Sequence, residues 1–257
     1  MNEHIVVERE AGLWTLRLNR PDKKHALTRA MYSHMAEALE QADLDPTVRA
    51  VLITGGPECF TSGNDISDFL QAPPTSLDNP VFQFMRAVFD FSKPLVAAVA
   101  GPAVGIGTTL LLHCDLVYVS RDARLKMPFV NLGLCPEFGS SLILPRLLGP
   151  AKAAELLLLG EAFNGEQACA WGIANAALED GPTTLARARE MALRFTGLAP
   201  SAVADSKRLM RAPGREELRR VMVEEAELFG QRLRSPEAIE ALSAFMQRRP
   251  ADFSRFA

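Results

Sequence analysis

The sequence predicts an α/β core of crossover units followed by a helical tail, and three observations carry that prediction. Apolar runs at 49–54, 95–100 and 115–120 read as short buried strands. Between and before them lie segments with apolar residues at helical spacing, so that a strand, helix, strand order recurs three times in the first half. The second half is mainly helical in its periodicity.

The elements follow in order. Residues 5–8 and 13–18 alternate apolar and polar side chains around Ala11-Gly12, the pattern of a hairpin. A basic loop from Asn19 to Lys24 interrupts it. Thr28 can cap a helix whose Met31, Met35, Ala38, Leu39 and Ala42 share one face, with Pro46 beyond its end. After the strand at 49–54, residues 55–66 form a loop rich in turn formers. The proline-rich segment 73–80 reads as mobile, and 81–91 as an apolar helix.

Residues 95–112 carry no charge. About 18 apolar residues in a row is the threshold for a membrane span. Here glycines and a proline fall in the middle, where a break exposed to lipid would strand backbone polar groups, which argues against a span. The stretch reads instead as a strand broken at Gly101-Pro102, a glycine turn at Gly105-Ile106-Gly107, and a buried helix. A further strand at 115–120, a short one at 125–127, and a loop at 129–141 precede helices from Leu142 onward. In the tail, Leu218, Val221, Met222, Leu228 and Phe229 make an apolar face, with Arg215, Arg219, Arg220, Glu224 and Glu225 as its solvated complement.

Composition narrows the function. With 48% hydrophobic and 23% charged residues in a 257-residue chain, a sizeable core is affordable. A net charge of -3 gives no pull toward nucleic acid or an anionic membrane. The first residues lack the pattern of a signal peptide, and the closing Ser254-Arg255-Phe256-Ala257 is no peroxisomal address. Cys59, Cys114, Cys135 and Cys169 are widely spaced, as expected of reduced core thiols in a cytoplasmic protein. No histidine spacing suggests a metal.

The glycine turn lacks the third glycine of a dinucleotide fingerprint, Leu110 standing in its place, and there is no nucleophile elbow or phosphate loop. What remains is two glycine-containing turns after buried strands, around Gly63 and Gly105. Such turns can aim two main-chain N–H groups at one oxygen. One acid, Glu137, lies among apolar loop neighbours that would raise its proton affinity by desolvation, the alternative being a solvated loop carboxylate.

Asn19-Arg20-Pro21, Ser62-Gly63-Asn64-Asp65 and the segment 100–107 together resemble the crotonase, or enoyl-CoA hydratase/isomerase, superfamily, over residues 5 to about 249. The resemblance implies a spiral of β-β-α units over residues 1–198. It implies a C-terminal helical region at 199–257 that covers a neighbour in a homotrimer or hexamer. It also implies an acyl-CoA substrate whose thioester oxygen lies between the N–H groups of Asn64 and Ile106. Lys23, Lys24, Ala26, Ser62, Gly63, Asp65, Ile66 and Gly105 are the positions implied to hold substrate or coenzyme A, with Phe129 and Leu134 beside the acyl tail. Coenzyme A is then part of the substrate, and no separate cofactor or metal is implied.

Hydratases of this kind use two glutamates, at positions matching Thr109 and Phe129 here. Glu137 instead matches the catalytic glutamate of peroxisomal-type Δ3,Δ2-enoyl-CoA isomerases, and 128–134, 136–141 and 148–158 are similar to that branch too. The resemblance therefore implies a single-base isomerase of fatty acid oxidation. Another acyl-CoA reaction of the superfamily, hydration or thioester hydrolysis, and a silent CoA-binding module are the competing readings.

Overall fold

The N-terminal hairpin begins the larger of two sheets in the computed structural model, which describes residues 3–71 and 78–256. Strands β1 (Ile5–Glu10) and β2 (Leu13–Leu18) pair antiparallel, with Ile5 opposite Leu18, across a turn at Ala11 and Gly12, both with positive φ. From β2 the sheet continues in parallel through β3 (Ala50–Thr54) and β4 (Leu95–Val99). Next in the sheet come β6 (Leu116–Ser120) and β9 (Ala176–Leu178). Every residue of β3 and β4 is buried, which is why neither alternates in polarity.

The two faces of that sheet are divided by the period of the strand. Val51, Ile53, Leu95, Ala97 and Val99 join the main core, which takes in Met31, Met35 and Leu39 of the helix Arg29–Leu44. Ala50, Leu52, Val96 and Ala98 face the other way, onto Ala188 and Ala192 of the helix Gly181–Arg194. The Thr28 side chain accepts the Met31 N–H as the expected cap, and Asn79 caps the helix Pro80–Asp90. Residues 72–77 of the expected mobile segment lie outside the described residues.

A second sheet begins at the expected break at Gly101-Pro102, where no strand was foreseen. Pro102–Val104 is a strand, β5, parallel to β7 (Arg124–Lys126), which pairs antiparallel with β8 (Phe163–Asn164). The chain leaves β4 and enters this sheet at once, because Gly101 (φ +61) turns it where a Cβ would lie 1.9 Å from the Glu58 carbonyl oxygen. The buried helix expected next is only one α-helical turn, Ile106–Thr109, that tightens into a 3-10 turn, Leu110–His113. Similarly, the helix expected from Leu142 spans Ser140–Leu148, and the loop before it holds a 3-10 turn, Val130–Leu132.

The tail is helical, as expected. Its helices include Pro200–Arg211, Arg215–Arg232 and Pro236–Met246. Two assignments on the middle helix are corrected: Leu228 is exposed, and Glu225, expected in solvent, is buried. Glu225 falls three residues after Met222 and four before Phe229, on the inward stripe. The helix Pro236–Met246 packs over the Val130–Leu132 turn so closely that a Cβ on Gly133 would lie 2.6 Å from the Ala238 nitrogen. All four cysteines are free and half-buried rather than fully in the core. Among the described residues no helix is long and apolar enough to cross a membrane.

Candidate active site

Three chain segments distant in sequence are laced together by main-chain hydrogen bonds. The N–H groups of Phe60 and Thr61 donate to the Pro102 carbonyl, and Val104 N–H donates back to the Thr61 carbonyl at 3.0 Å. Leu27 N–H donates to Gly63 O at 2.8 Å, Asp65 N–H to Leu27 O at 2.9 Å, and Ser62 N–H to Lys24 O at 2.9 Å. The two glycine turns are therefore neighbours, held by the edge of the small sheet. Gly63 (φ +89) fits because it has no side chain: a Cβ there would stand 2.9 Å from the Val104 oxygen. Gly105 (φ +57) donates its N–H to Lys126 O at 2.8 Å, which fixes the start of the Ile106 turn.

Among the described residues no acceptor is found for the main-chain N–H of Asn64 or of Ile106. The first is held by its own side chain, whose Oδ1 accepts the hydroxyl of buried Tyr32 at 2.5 Å. The second opens a helical turn, where an N–H has no intrahelical partner. Ile106's side chain is buried in the core, so the residue could offer a ligand nothing but its main-chain N–H.

A cleft of about 860 Å³ lies beside these turns. Of the nominated residues, Lys23, Ala26, Ser62, Gly63, Asn64, Asp65, Ile66, Gly105, Phe129, Leu134 and Glu137 all line it. Lys24 and Ile106 do not: Lys24, in a left-handed conformation, contributes its carbonyl to the Ser62 bond. Asp65 touches the cleft, but its carboxylate is already engaged by Arg20 at 2.6 Å and by the N–H groups of Ser67 and Asp68. Partial desolvation would raise its pKa, but those donors together outweigh it and hold the carboxyl below the usual carboxylate range, ionised. Sequence reasoning did not nominate Lys126, Phe229 or the wall supplied by the C-terminal helix, Leu242, Phe245 and Met246. A smaller apolar cavity of about 430 Å³ lies elsewhere, and its charged groups, Asp115, Lys207 and Arg211, are paired with one another.

Glu137 is the acid that the cleft desolvates. It is 3% exposed, and its Oε1 has no hydrogen-bond partner. Burial, reinforced by the negative charge of Glu225, pushes its carboxyl up to about 8. The alternative of a solvated loop carboxylate is thereby set aside.

The loop beyond Glu137 is held against its own preference. Phe138 (φ +59) and Gly139 (φ +74) are both left-handed, and for phenylalanine this costs about 1–3 kcal/mol. Phe138 is fixed by stacking on His113, with ring centroids 3.8 Å apart and planes 14° apart. His113 Nε2 lies 2.6 Å from the Phe138 carbonyl and so donates to it. Burial lowers that imidazole to about 4, leaving it neutral. Gly139 N–H donates to Glu225 Oε2 at 2.5 Å, while Ser141 donates to Oε1 through N–H and hydroxyl.

Tyr32, His113 and Glu225 are thus parts of the site that sequence reasoning missed. Tyr32 sits on the apolar face of its helix and looks like core. For Glu225 the signal was its spacing from Met222 and Phe229, which places it on the buried stripe.

Known proteins share this framework. The family model described as "Enoyl-CoA hydratase/isomerase" matches residues 8–255. Human enoyl-CoA delta isomerase 2 is 37% identical over 255 residues, covering 96% of this chain, and the chain spans 64% of that relative's length, less than two thirds. The 2,3-dehydroadipyl-CoA hydratase of Escherichia coli K12 is 30% identical over 250 residues, covering 97% of this chain and 98% of that one. The solved structure of Pseudomonas aeruginosa OdaA is 72% identical, with a TM-score of 0.95, covering 96% of this chain and all of its own. A match that runs through both sheets, both glycine turns, the Glu137 loop and the helical tail leaves one assignment: the chain belongs to the enoyl-CoA hydratase/isomerase, or crotonase, family.

Proposed function

We propose that the chain is an enoyl-CoA isomerase that moves the double bond of a 3-enoyl thioester to the 2 position, with Glu137 as its one base. The observation that carries this reading is the state of the cleft's carboxylates. Glu137 is buried, with an oxygen free of hydrogen bonds, whereas Asp65 is consumed by Arg20. Thr109 and Phe129 occupy the positions implied for a hydratase's glutamates, and neither side chain can exchange a proton with a carbon acid.

In this mechanism the substrate's thioester oxygen accepts the N–H groups of Asn64 and Ile106. Ionised Glu137 takes a proton from C2, and the C–H electron pair delocalises through the C3–C4 double bond and the carbonyl as a dienolate. Protonated Glu137 then returns that proton to C4, leaving the double bond between C2 and C3. General base catalysis contributes about 10²- to 10⁴-fold and one oxyanion donor about 10²- to 10³-fold. Phe129, Leu134 and Phe229 exclude water from the dienolate, which a hydroxylic site would quench. Coenzyme A arrives with the substrate, with Lys23 beside its phosphates.

Turnover of 3-hexenoyl-CoA to the 2-enoyl product by the wild type, and its loss in Glu137→Gln, is the expected result. No product from the wild type, or an undiminished rate in the variant, would overturn the assignment. We further propose a core at 1–198 and an associating tail at 199–257, on which Leu209 and Met210 are exposed. Sedimentation at micromolar concentration should give a homotrimer or hexamer; a monomer refutes this.

A further inference from the structure

Glu225 stands on the helix Arg215–Arg232 and is only 7% exposed. Its carboxylate receives three donors: Gly139 N–H at 2.5 Å, Ser141 N–H at 3.0 Å and the Ser141 hydroxyl at 2.5 Å. Burial raises the pKa of this carboxyl and its Ser141 and Gly139 donors pull it back; three donors and no acceptor fit the ionised form, since a protonated carboxyl would aim its own O–H at a donor. The turn it grips begins two residues after Glu137 and includes the left-handed Gly139. On the near side, the Glu137 carbonyl accepts Ser140 N–H at 3.1 Å and the Ser140 hydroxyl at 2.7 Å. The main chain around Glu137 is fixed on both counts, while its side-chain Oε1 is unbonded.

We propose that Glu225 is a positioning residue, whose carboxylate clamps the Gly139–Ser141 turn from the tail helix and so sets where the Glu137 side chain enters the cleft. Glu225 does not line the cleft, so it has no direct part in proton transfer. It couples the helical tail to the base by contact, which makes the tail a component of the site. Its charge has a second consequence: it disfavours ionisation of Glu137 beyond what burial alone does.

The other titratable groups around this pair do not duplicate that charge. Tyr32, on the helix Arg29–Leu44, feels the charge of Glu137, but burial holds its hydroxyl protonated. Cys135, on the same loop, is pushed up to about 11 and is neutral, as is His113 behind Phe138. Glu224 and Arg232, on the helix of Glu225, bear on Glu225 and on Cys135 respectively.

This inference rests on Glu137 being the base, so its test reads Glu137 in two ways. Glu225→Ala, Glu225→Gln and Ser141→Ala are assayed with 3-hexenoyl-CoA between pH 5.5 and 9.5. Their urea unfolding is followed over the same range, with and without Glu137→Gln. Glu225→Ala should lose about 100-fold in kcat with KM nearly unchanged, as for a displaced catalytic group. Glu225→Gln keeps an amide oxygen for the turn, so it should retain kcat to within about tenfold while its pH midpoint falls by about one unit. Ser141→Ala removes a donor but no charge and should leave the midpoint where it is.

A Glu225→Gln enzyme that is folded and has an unmoved midpoint overturns the proposal, as does Glu225→Ala with wild-type kcat. If Glu225→Ala fails to fold, Glu225→Gln still decides. Should the wild type turn over no 3-enoyl thioester, the isomerase reading fails separately. The unfolding data then decide: the pH range in which stability depends on Glu137 must end about one unit lower in Glu225→Gln. The same range in both overturns the clamp.

Discussion

Replacing Glu137 by glutamine should change how the protein's stability responds to pH. An unfolded chain releases the Glu137 proton near 4.5, whereas the folded chain keeps it up to about 8. Between those values the native state binds more protons than the unfolded one, so stability falls as pH rises through the interval and levels off above 8. The gap corresponds to about 5 kcal/mol, because one pH unit of separation is worth about 1.36 kcal/mol. Glutamine has nearly the same shape and does not ionise, so Glu137→Gln should lose that slope. Relative to the wild type it should gain about 5 kcal/mol of stability between pH 4.5 and 8. Urea unfolding at pH 5, 6.5 and 8, at one fixed protein concentration, measures this directly. Parallel wild-type and variant curves across that range would refute the buried-carboxylate account. The same ionisation governs rate: isomerisation in the wild type should rise with pH, reach half its plateau near 8 and flatten above that, since only the ionised form accepts the C2 proton.

Two further substitutions test the part proposed for the two glycine turns. Tyr32→Phe leaves the Asn64 amide oxygen without its donor, at a cost of about 1–3 kcal/mol. Thermal unfolding should register that loss, and kcat should fall more than KM rises if Asn64 acts in the transition state; unchanged stability and kcat would refute it. Gly63→Ala places a Cβ 2.9 Å from the Val104 oxygen on a backbone with φ +89, which should destabilise by more than about 1 kcal/mol and part the two turns. An alanine variant as stable and active as the wild type would show that their close approach is not needed.

Much of this fold was written in local patterns. The hairpin, the Thr28 cap and the fully apolar β3 and β4 follow from short-range rules of period and capping, which the sequence carries residue by residue. The glycine turns were legible for the same reason, as glycine adopts the positive φ found at Gly63 and Gly105 without the steric cost that other residues carry. The second sheet was not. Pro102–Val104 is three residues long and gains its partner from Arg124–Lys126, a pairing that no local window contains.

The sequence by itself determined which groups were available for chemistry: two glycine turns, one acid among apolar neighbours, and no acid at Thr109 or Phe129. Only the tertiary structure decided what those groups are. Glu137 becomes a carboxyl of raised proton affinity because burial removes water from it and Glu225 arrives from the tail to repel its charge. Asn64 is fixed by a tyrosine from a distant helix, and Asp65 is withdrawn from chemistry by Arg20. Desolvation and the field of a remote carboxylate are properties of the packed molecule, since both depend on what surrounds a group in space rather than along the chain.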